Sequence, residues 1–527
     1  MSYNLVSKPP QNGSMKTHRR FVSGLLLPPS RLIIAYFLFG LAWLGANPLG
    51  AAPDERDHYI KALATAEGHP IGNRLTEVPG SSSSEIYVVS NARTFMLPYR
   101  LIPPADIACM AFHPSQSAAC QDGVTYETRP GVGPQNSTEG SYQPYLYLLP
   151  GLFARAGWSF RAGFRLARLA NLLTSIVLVA LAAHMSWDPG RESLSLVGLM
   201  VAVTPMSLFL FASANTSGPE VAGGICFTAG LLAFFGREKC PQWYVLAASV
   251  GGAVLVLGRA TGVGFALLIS ATIAVLYDRK TIRLRLRSSG RFFFWGLALA
   301  FASMVAALSW EFTMHAHPAS SPRLAISMLR PALHDLPLLF LEQVGVFGWL
   351  DTLMPTFVYS GWRVLVMMLV GSAFLLGSNR QRLGLLMMIA SLLTADEFID
   401  AVVLPPTGFG IQGRHTLPIA VAVPIAAAEI VRVNFPRVRM TGVIGVLSAI
   451  SAVVAFMQAV AWYANARRYA VGVTGTWMFF KVGWRPAGGW LPWTALAGLG
   501  VVCLASLSWE RGDKLAGYPA KNAQFQW

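Results

Sequence analysis

Long apolar runs recur along the chain from Arg31 to Trp509, and this repetition constrains the fold more than any other feature of the sequence. Most runs reach roughly 18 to 22 residues, the length that a helix needs to cross the hydrocarbon core of a bilayer. Over half of the chain is apolar, and only 13% is charged. Because a helix satisfies its own backbone hydrogen bonds in lipid, the sequence predicts an all-α polytopic membrane protein that forms one helical bundle.

The formal net charge of +16 is concentrated in short basic clusters between the apolar runs. The largest cluster, DRKTIRLRLRSSGR (Asp278–Arg291), holds six basic residues and one acid. Basic residues accumulate in the cytoplasmic loops of membrane proteins. The clusters therefore predict that both termini lie in the cytoplasm, and they give no reason to expect a nucleic-acid partner.

Together, the runs and the clusters predict about twelve transmembrane helices. Their approximate bounds are 31–51, 162–186, 194–213, 219–236, 242–258, 261–277, 292–310, 356–377, 383–403, 415–432, 440–463 and 490–508. The chain then divides into a cytoplasmic tail (1–30), a transmembrane module (31–510) with an extracytoplasmic loop at 52–161, and a second cytoplasmic tail (511–527). The first span is expected to be an uncleaved anchor, the alternative being a secretory signal peptide.

The loop at 52–161 begins with PDERDHY (Pro53–Tyr59), whose proline and acids are typical of a helix start. Asp54 and His58 would share one face of this helix because they are four residues apart. The stretches PGSSSSE and PGVGPQNSTEG are rich in Gly, Ser and Pro and predict flexible loop. The apolar segment SYQPYLYLLPGLFARAGWS that follows predicts a helix lying at the membrane surface.

Three further features lie on the predicted outer side. A loop from Glu311 to about Pro355 contains the sequence GWLDT, and the sequence PPTGFGIQGRH stands between two later spans. Cys109 and Cys120 lie in the first loop, where oxidation is possible, and the sequence leaves open whether they are bonded. Cys226, Cys240 and Cys503 lie in or beside spans and are expected to be packing residues.

The outer ends of the predicted spans carry carboxylates in the first loop and arginines in later helices. Charged groups in such positions are unfavourable without a function. The residues are Asp54, Glu55, Asp57, His58, Arg168, Glu220, Arg259, Asp351 and Arg414. This pattern suits a reaction in which a hydroxyl group loses its proton while an anionic group departs. If a sugar leaves a lipid phosphate, one carboxylate base and cationic stabilisation suffice, since the phosphate needs no protonation.

Five motifs occur in a fixed order between Pro53 and Pro418. They are PDERDHY, SYQPYLYLLPGLFARAGWS…RLARLANLL, TPMSLFLFASANTSGPE, FGWLDTLMP and GIQGRHTLP. Through this ordered set the chain resembles the bacterial predicted membrane proteins of domain-of-unknown-function family 2142. That family resembles the GT-C superfamily of membrane glycosyltransferases, which use polyprenyl-phosphate sugars. The resemblance implies a GT-C-like bundle whose first extracytoplasmic loop carries juxtamembrane helices.

The resemblance implies that an acid after the first span activates the acceptor. Asp54 or Glu55 could take this role; Asp54 is favoured, and the alternative for Asp54 is a helix N-cap. His58 could bind a metal with Asp54, orient it, or face solvent. Some GT-C enzymes use a divalent cation such as Mg, Mn or Ca, but no dedicated metal-ligand spacing occurs in this sequence.

Arg414 and Arg259 are the candidates for binding the donor phosphate, because the guanidinium group grips phosphate with two hydrogen bonds. The alternative for Arg414 is an arginine that reaches to the membrane interface. Glu220, Asn215 and Asp351 could line the cavity, with helix capping as the alternative for the first two. The full set of candidate substrate-binding residues is His58, Tyr142, Gln143, Arg168, Asn215, Glu220, Arg259, Asp351, Gln412, Arg414 and His415.

The function that these features predict is an inverting glycosyltransferase of the bacterial cytoplasmic membrane, with its active site on the extracytoplasmic side. The partners would be a polyprenyl-phosphate sugar donor, a cell-envelope glycan acceptor and membrane lipids. A transporter or flippase, or a polymerase, of lipid-linked saccharides is the alternative. A transporter would have its ionisable residues at mid-membrane depth. The sequence does not identify the sugar, the acceptor or the length of the polyprenyl chain.

Overall fold

Every predicted span falls on one helix or on a broken pair of helices in the computed structural model. The structure describes residues 27–75, 88–124, 130–187, 192–237, 240–314, 322–407, 410–435 and 440–508. The helices are α1 (Pro28–Ala46), α2 (Glu55–Ala66), α3 (Leu148–Arg155), α4 (Phe160–Ser186), α5 (Glu192–Ala202), α6 (Pro205–Phe211), α7 (Ser217–Gly236), α8 (Trp243–Gly258), α9 (Gly262–Leu276), α10 (Arg279–Arg287), α11 (Arg291–Met314), α12 (Pro322–Gly345), α13 (Thr356–Leu376), α14 (Asn379–Thr407), α15 (Gly413–Ala420), α16 (Ala422–Asn434), α17 (Met440–Val471) and α18 (Leu491–Ala505).

Within the described residues, seven helices are long and apolar enough to cross a membrane. They are α1, α4, α7, α11, α13, the combined α15–α16 segment, and α17 from Ser448. An eighth is reached if α9 and α10, which meet at a bend of 113°, are counted as one span. The helices α8 and α18 are apolar but shorter. The all-α polytopic membrane class is thus confirmed, whereas the count of about twelve spans stays a prediction.

The predicted span 194–213 is broken between α5 and α6. Pro205 occupies the first turn of α6, and the Thr204 hydroxyl accepts a hydrogen bond from the Ser207 backbone N–H at 3.2 Å. The same hydroxyl donates to the Gln343 carbonyl at 2.8 Å. Pro at the first helical position and Thr at the cap are typical of a new helix start, so the break has a local cause in the sequence.

The first loop contains a small antiparallel sheet that the sequence did not predict. The strands are β1 (Asn73–Arg74), β2 (Arg93–Pro98) and β3 (Val132–Ser137), in the order β1-β2-β3. The strand β3 lies inside PGVGPQNSTEG, so the prediction of flexible loop is wrong for that stretch. Its backbone pairs with β2 from Arg93↔Ser137 to Pro98↔Val132, which satisfies groups that a loop would leave to water. The stretch PGSSSSE lies outside the described residues.

The predicted loop from Glu311 to Pro355 is largely helical. The helix α11 continues to Met314, α12 covers Pro322–Gly345, and the hairpin β4 (Val346–Phe347) and β5 (Thr352–Leu353) follows. Two prolines lie within α12, and each removes one backbone donor from a helix. The sequence predicted only an amphipathic piece within this loop, whereas α12 is a helix of 24 residues that packs along α14.

The first loop is fastened to the end of α17 near the disulfide bond between Cys109 and Cys120. Arg468, at the end of α17, is 1% exposed and donates to three backbone carbonyls of that loop. It also donates to Asp351 Oδ2 at 2.8 Å. A buried guanidinium group needs such a full set of acceptors, so this arrangement fixes the first loop against the end of α17.

Candidate active site

Asp54 stands at the turn between α1 and α2, and its backbone is left-handed (φ 59°, ψ 12°). Asp tolerates this conformation better than most residues, but it remains strained. The side chain makes no capping hydrogen bond to α2. Instead, Oδ2 accepts a hydrogen bond from Arg414 Nη2 at 2.9 Å, and the side chain is 34% exposed. Asp54 is thus the N-cap residue of α2 by position, but its side chain does not cap the helix, and the carboxylate faces a partly open site.

Glu55, the next residue, lies in a closed environment. Arg168 donates to both of its carboxylate oxygens, from Nε at 2.7 Å and from Nη2 at 2.6 Å. The Ala214 backbone N–H donates to Oε1 at 2.8 Å. Arg168 also donates to the carbonyls of Asn47 and Pro48 at the end of α1. Because Glu55 and Arg168 are almost fully buried, they do not contribute accessible groups to the site.

Arg414 lies in the first turn of α15 and is buried (5% exposed). Besides Asp54, it binds the Pro53 carbonyl through Nη1 at 3.2 Å, while its Nε has no hydrogen-bond partner. The backbone N–H of Gly413 donates to Glu342 of α12, which anchors this turn. The burial of Arg414 contradicts the alternative of an arginine that reaches to the membrane interface.

Arg259 lies between α8 and α9, and its guanidinium group is near one carboxylate and one aromatic ring. Its Nε lies 3.7 Å from Glu220 Oε2, and its Nη2 donates to Ser217 Oγ at 3.2 Å. The guanidinium carbon lies 5.6 Å from the centre of the Tyr142 ring, as in a cation–π contact. Glu220 is buried, and neither of its oxygens has a hydrogen bond within the described structure.

His58 is buried between these groups. Its Nδ1 lies 2.6 Å from the hydroxyl oxygen of Tyr147, and its ring contacts the rings of Tyr147 and Tyr142 with centroids 5.8 and 6.0 Å away. Burial, together with the positive charges of Arg414 and Arg259, holds the pKa of His58 well below its usual range. The imidazole is thus neutral, and the alternative in which His58 faces solvent is wrong.

An apolar groove of about 570 Å³ lies between α9 and α14. Ala260 and Thr261, the two residues that follow Arg259 in the chain, are part of its lining. Large apolar side chains dominate its walls: Phe265, Leu268, Met387, Phe398 and Ile399. The groove therefore offers a surface for a hydrocarbon chain.

One family model matches most of the chain, so the family is identified by an extended match and not by a single motif. The family model described as "Predicted membrane protein (DUF2142)" matches residues 37–423. The chain belongs to this family. The match covers all five motifs of the sequence resemblance, from the PDERDHY stretch to the GIQGRH stretch, and confirms it. No curated protein matches this DUF2142 chain.

Two solved structures are similar to this DUF2142 chain. They are crystal structures of ArnT from Cupriavidus metallidurans, one in the apo state and one bound to undecaprenyl phosphate. In both cases the sequence identity is 13%, the TM-score is 0.42, and the alignment covers 94% of this chain and 78% of ArnT.

The described residues do not fit a metal centre. They contain no group of three or more His, Cys, Asp or Glu side chains arranged to hold a metal ion. The two candidate ligands are engaged elsewhere, Asp54 with Arg414 and His58 with Tyr147. A divalent cation would also have to compete with two nearby guanidinium groups.

Several other predicted residues have structural partners in the DUF2142 chain. Asp351 binds Arg468, and Gln143 Nε2 donates to Glu311 at 3.1 Å. Asn215 Oδ1 accepts from the Ser217 backbone N–H at 3.2 Å at the start of α7, which agrees with the helix-capping alternative. These contacts leave Asp54, His58, Tyr142, Glu220, Arg259 and Arg414 as the predicted residues that the structure brings together.

Gln412 and His415 flank Arg414 and support it locally. The backbone N–H of Gln412 donates to His415 Nδ1 at 3.5 Å, while Gln412 Oε1 is buried without a partner. The charges of Arg259 and Arg414 act on His415, so this ring lies close to the same cluster. Both residues therefore border the site.

One residue of the site, Glu139, was missed by the sequence analysis. Its Oε2 is buried without a hydrogen-bond partner. Burial, reinforced by the negative charge of Asp54 and opposed by Arg259, raises the pKa of Glu139 to about 8. The only sequence signal was an acid within PGVGPQNSTEG, and the prediction of flexible loop for that stretch concealed it.

Proposed function

We propose that this membrane protein is an inverting glycosyltransferase that moves a sugar from a polyprenyl-phosphate donor to a cell-envelope glycan on the extracytoplasmic face of the bacterial cytoplasmic membrane. The observation that carries the proposal is the position of Asp54. Its carboxylate is partly exposed and held by Arg414, it acts together with Arg259 on the charge of Glu139, and the two residues that follow Arg259 in the chain line an apolar groove. These are the parts that a lipid-phosphate sugar and a hydroxyl acceptor require.

Asp54 is the proposed general base. It removes the proton from an acceptor hydroxyl as the oxygen attacks the anomeric carbon of the sugar. The bond between the anomeric carbon and the phosphate oxygen breaks, and its electron pair leaves with the polyprenyl phosphate. The products are the extended glycan, polyprenyl phosphate and a protonated Asp54. A single displacement at the anomeric carbon inverts its configuration.

Arg259 is the proposed anchor for the donor phosphate, since its own carboxylate contact with Glu220 is long, at 3.7 Å. The lipid chain would follow the groove that Ala260 helps to line. Arg414 would stabilise the charge that develops between base and leaving group through its free Nε. A buried, preorganised cation is more effective in this role than a solvated one, because the local dielectric is low.

Asp54, rather than Glu55, is the proposed base because Asp54 has a carboxylate oxygen that is available to accept a proton. Only one oxygen of Asp54 is engaged with a side chain, by Arg414. Glu55 accepts two hydrogen bonds from Arg168 and two from the backbone N–H groups of Ala214 and Ala52, and it is fully buried. A base must come within hydrogen-bond reach of the substrate hydroxyl, and Glu55 offers no accessible oxygen.

The test is transfer by the purified protein. Farnesyl phosphate carrying radiolabelled mannose, glucose, galactose or arabinofuranose is supplied with a cell-envelope glycan preparation, and label in the glycan is measured. Transfer is expected from at least one donor, and it should be lost in Asp54→Ala and Arg414→Ala. Asp106→Ala, which removes an exposed acid of the same loop, is the control. Movement of the lipid across vesicle bilayers without transfer would contradict the proposal and favour a transporter.

A further inference from the structure

Glu139 lies in the turn after β3, and two contacts fix this turn on α2. The Thr138 backbone N–H donates to Asp57 Oδ1 at 2.9 Å. Lys61 Nζ donates to the Gly140 carbonyl at 2.6 Å. Asp57 and Lys61 are four residues apart and share a face of α2. Glu139 stands between these two anchored positions, so its backbone is held across the face of the helix that begins at Asp54.

The side chain of Glu139 is directed into the cluster already described. Its charge interacts with those of Asp54, Arg259, Asp57 and Arg414, and it acts on the hydroxyl of Tyr147. Oε2 is buried, and none of the residues that the structure describes forms a hydrogen bond with it. A buried carboxyl oxygen without a partner is unusual in a folded protein, and the unmet acceptor points to a ligand that supplies a donor.

Tyr142 provides a flat surface beside this carboxyl group. Its backbone N–H donates to the Glu139 carbonyl at 3.1 Å, which couples the two positions. Its ring centre lies 5.6 Å from the guanidinium carbon of Arg259, and its ring meets that of His58 edge to face at 6.0 Å. A carboxyl oxygen can accept from a hydroxyl, and an aromatic face can cover apolar C–H groups. This pair of surfaces matches a sugar ring.

We infer that Glu139 binds the transferred sugar, accepting a hydrogen bond from a ring hydroxyl while Tyr142 covers one face of the ring. This inference rests on the proposed function, since it concerns the sugar of the donor attached to the phosphate at Arg259. It makes Glu139 a specificity-determining residue rather than a second base. The competing account is that Glu139 is only a counter-ion of Arg259.

The two accounts differ in which ligand they affect. If Glu139 contacts the sugar, its removal should weaken binding only of ligands that carry a sugar. If Glu139 is only a counter-ion of Arg259, its removal should change binding of every ligand that carries the phosphate. The experiment measures equilibrium binding, without acceptor, of farnesyl phosphate and of its mannose, glucose, galactose and arabinofuranose derivatives. The proteins are the wild type, Glu139→Ala and Glu139→Gln. Glu67→Ala is the control, because Glu67 forms a surface ion pair with Arg155 at the far end of α2.

The inference expects Glu139→Ala to bind the preferred sugar derivative about tenfold more weakly and farnesyl phosphate unchanged. Glu139→Gln, which keeps a carbonyl acceptor, should lose less. Unchanged binding of farnesyl phosphate also shows that each variant is folded. Equal changes for both ligands, or no change for either, would overturn the inference. If the wild type binds no sugar derivative better than farnesyl phosphate and transfers none, the proposed function itself fails.

Discussion

Asp54 and Glu55 are adjacent acids with arginine partners, yet their environments are opposite. Glu55 is fully buried, and Arg168 binds both of its oxygens. Asp54 is 34% exposed, and Arg414 binds one of its oxygens. The left-handed backbone of Asp54 separates the two side chains at the end of the first span. The first pair fastens α1, α2 and α4 together, and the second presents a carboxylate to the site.

The comparison shows how a buried ion pair can support an accessible one. Arg168 also binds two carbonyls at the end of α1, so the Glu55–Arg168 pair fixes the direction in which the chain leaves the span. That direction determines where Asp54 meets Arg414. Residues held by a rigid support lose less entropy when they bind substrate, which gives the structural pair an indirect part in function.

The largest effect on stability is expected for Glu55→Ala. This variant leaves the guanidinium group of Arg168 buried without a carboxylate, and breaking a buried pair in this way costs about 3–5 kcal/mol. Thermal unfolding of the purified protein in detergent measures the loss. The double variant Glu55→Leu/Arg168→Met is the control, because it removes both charges and should recover much of the stability. A melting temperature like that of the wild type for Glu55→Ala would show that the pair is not structural.

Asp54→Asn is expected to affect turnover and hardly affect folding. Asn adopts the left-handed conformation readily and is isosteric with Asp, but it cannot accept the proton. Loss of a general base lowers the rate by about 10²–10⁴-fold. Transfer of radiolabel from the farnesyl-phosphate sugar that the wild type uses, together with the melting temperature, measures both quantities. A large loss of stability with retained turnover would reverse the roles assigned to Asp54 and Glu55.

Much of the helical architecture was predictable, because span length and the distribution of basic residues are local properties of the sequence. The sequence also predicted that Asp54 and Arg414 share a site, and the structure joins them at 2.9 Å. It favoured Asp54 over Glu55, but it gave no structural reason for that order, since both are acids after the first span. The ranking depends on a positive φ angle and on a partner 113 residues away in the chain, Arg168.

The missed features are those in which long-range pairing overrides local composition. The Gly and Pro content of PGVGPQNSTEG indicates loop, but β2 supplies a pairing edge for β3. The region of α12 was likewise predicted as a loop with only an amphipathic piece, although packing against α14 supports a helix. Both errors mattered for function, because the first concealed Glu139 and the second concealed the helix whose Glu342 anchors the turn of Arg414.

Glu139 is a third carboxyl group that extends the comparison, because one of its oxygens is buried without any partner. Four charged groups act on it: Asp54, Asp57, Arg259 and Arg414. With a folded-state pKa raised from its ordinary value of 4.5 to about 8, Glu139 keeps its proton in the folded protein after the unfolded chain has lost it. Stability therefore falls as pH rises from about 4.5 to about 8.

Glu139→Gln removes this titration. We expect the variant to gain stability relative to the wild type as pH rises through that window, by a few kcal/mol at its upper end. The difference in stability is measured from the melting temperatures of both proteins between about pH 5 and about pH 8, which is roughly the window set by the raised pKa. A constant difference across the window would show that Glu139 is already ionised in the folded protein.

The smallest expected effect is a difference in stability between Gly and Ala variants at positions 54 and 55. It distinguishes the contribution of the backbone conformation from that of the carboxylate. Asp54→Gly and Asp54→Ala both remove the carboxylate from Arg414, but only Gly adopts φ 59° without strain. The Gly variant should therefore be more stable than the Ala variant by about 1 kcal/mol. At Glu55, which is helical, the order should reverse by roughly 0.5 kcal/mol. Melting temperatures at position 55 are compared with Arg168→Met present, so that no unpaired charge obscures the difference. If Ala is the more stable residue at both positions, the turn at Asp54 is not left-handed, and the separation of the two acids needs another cause.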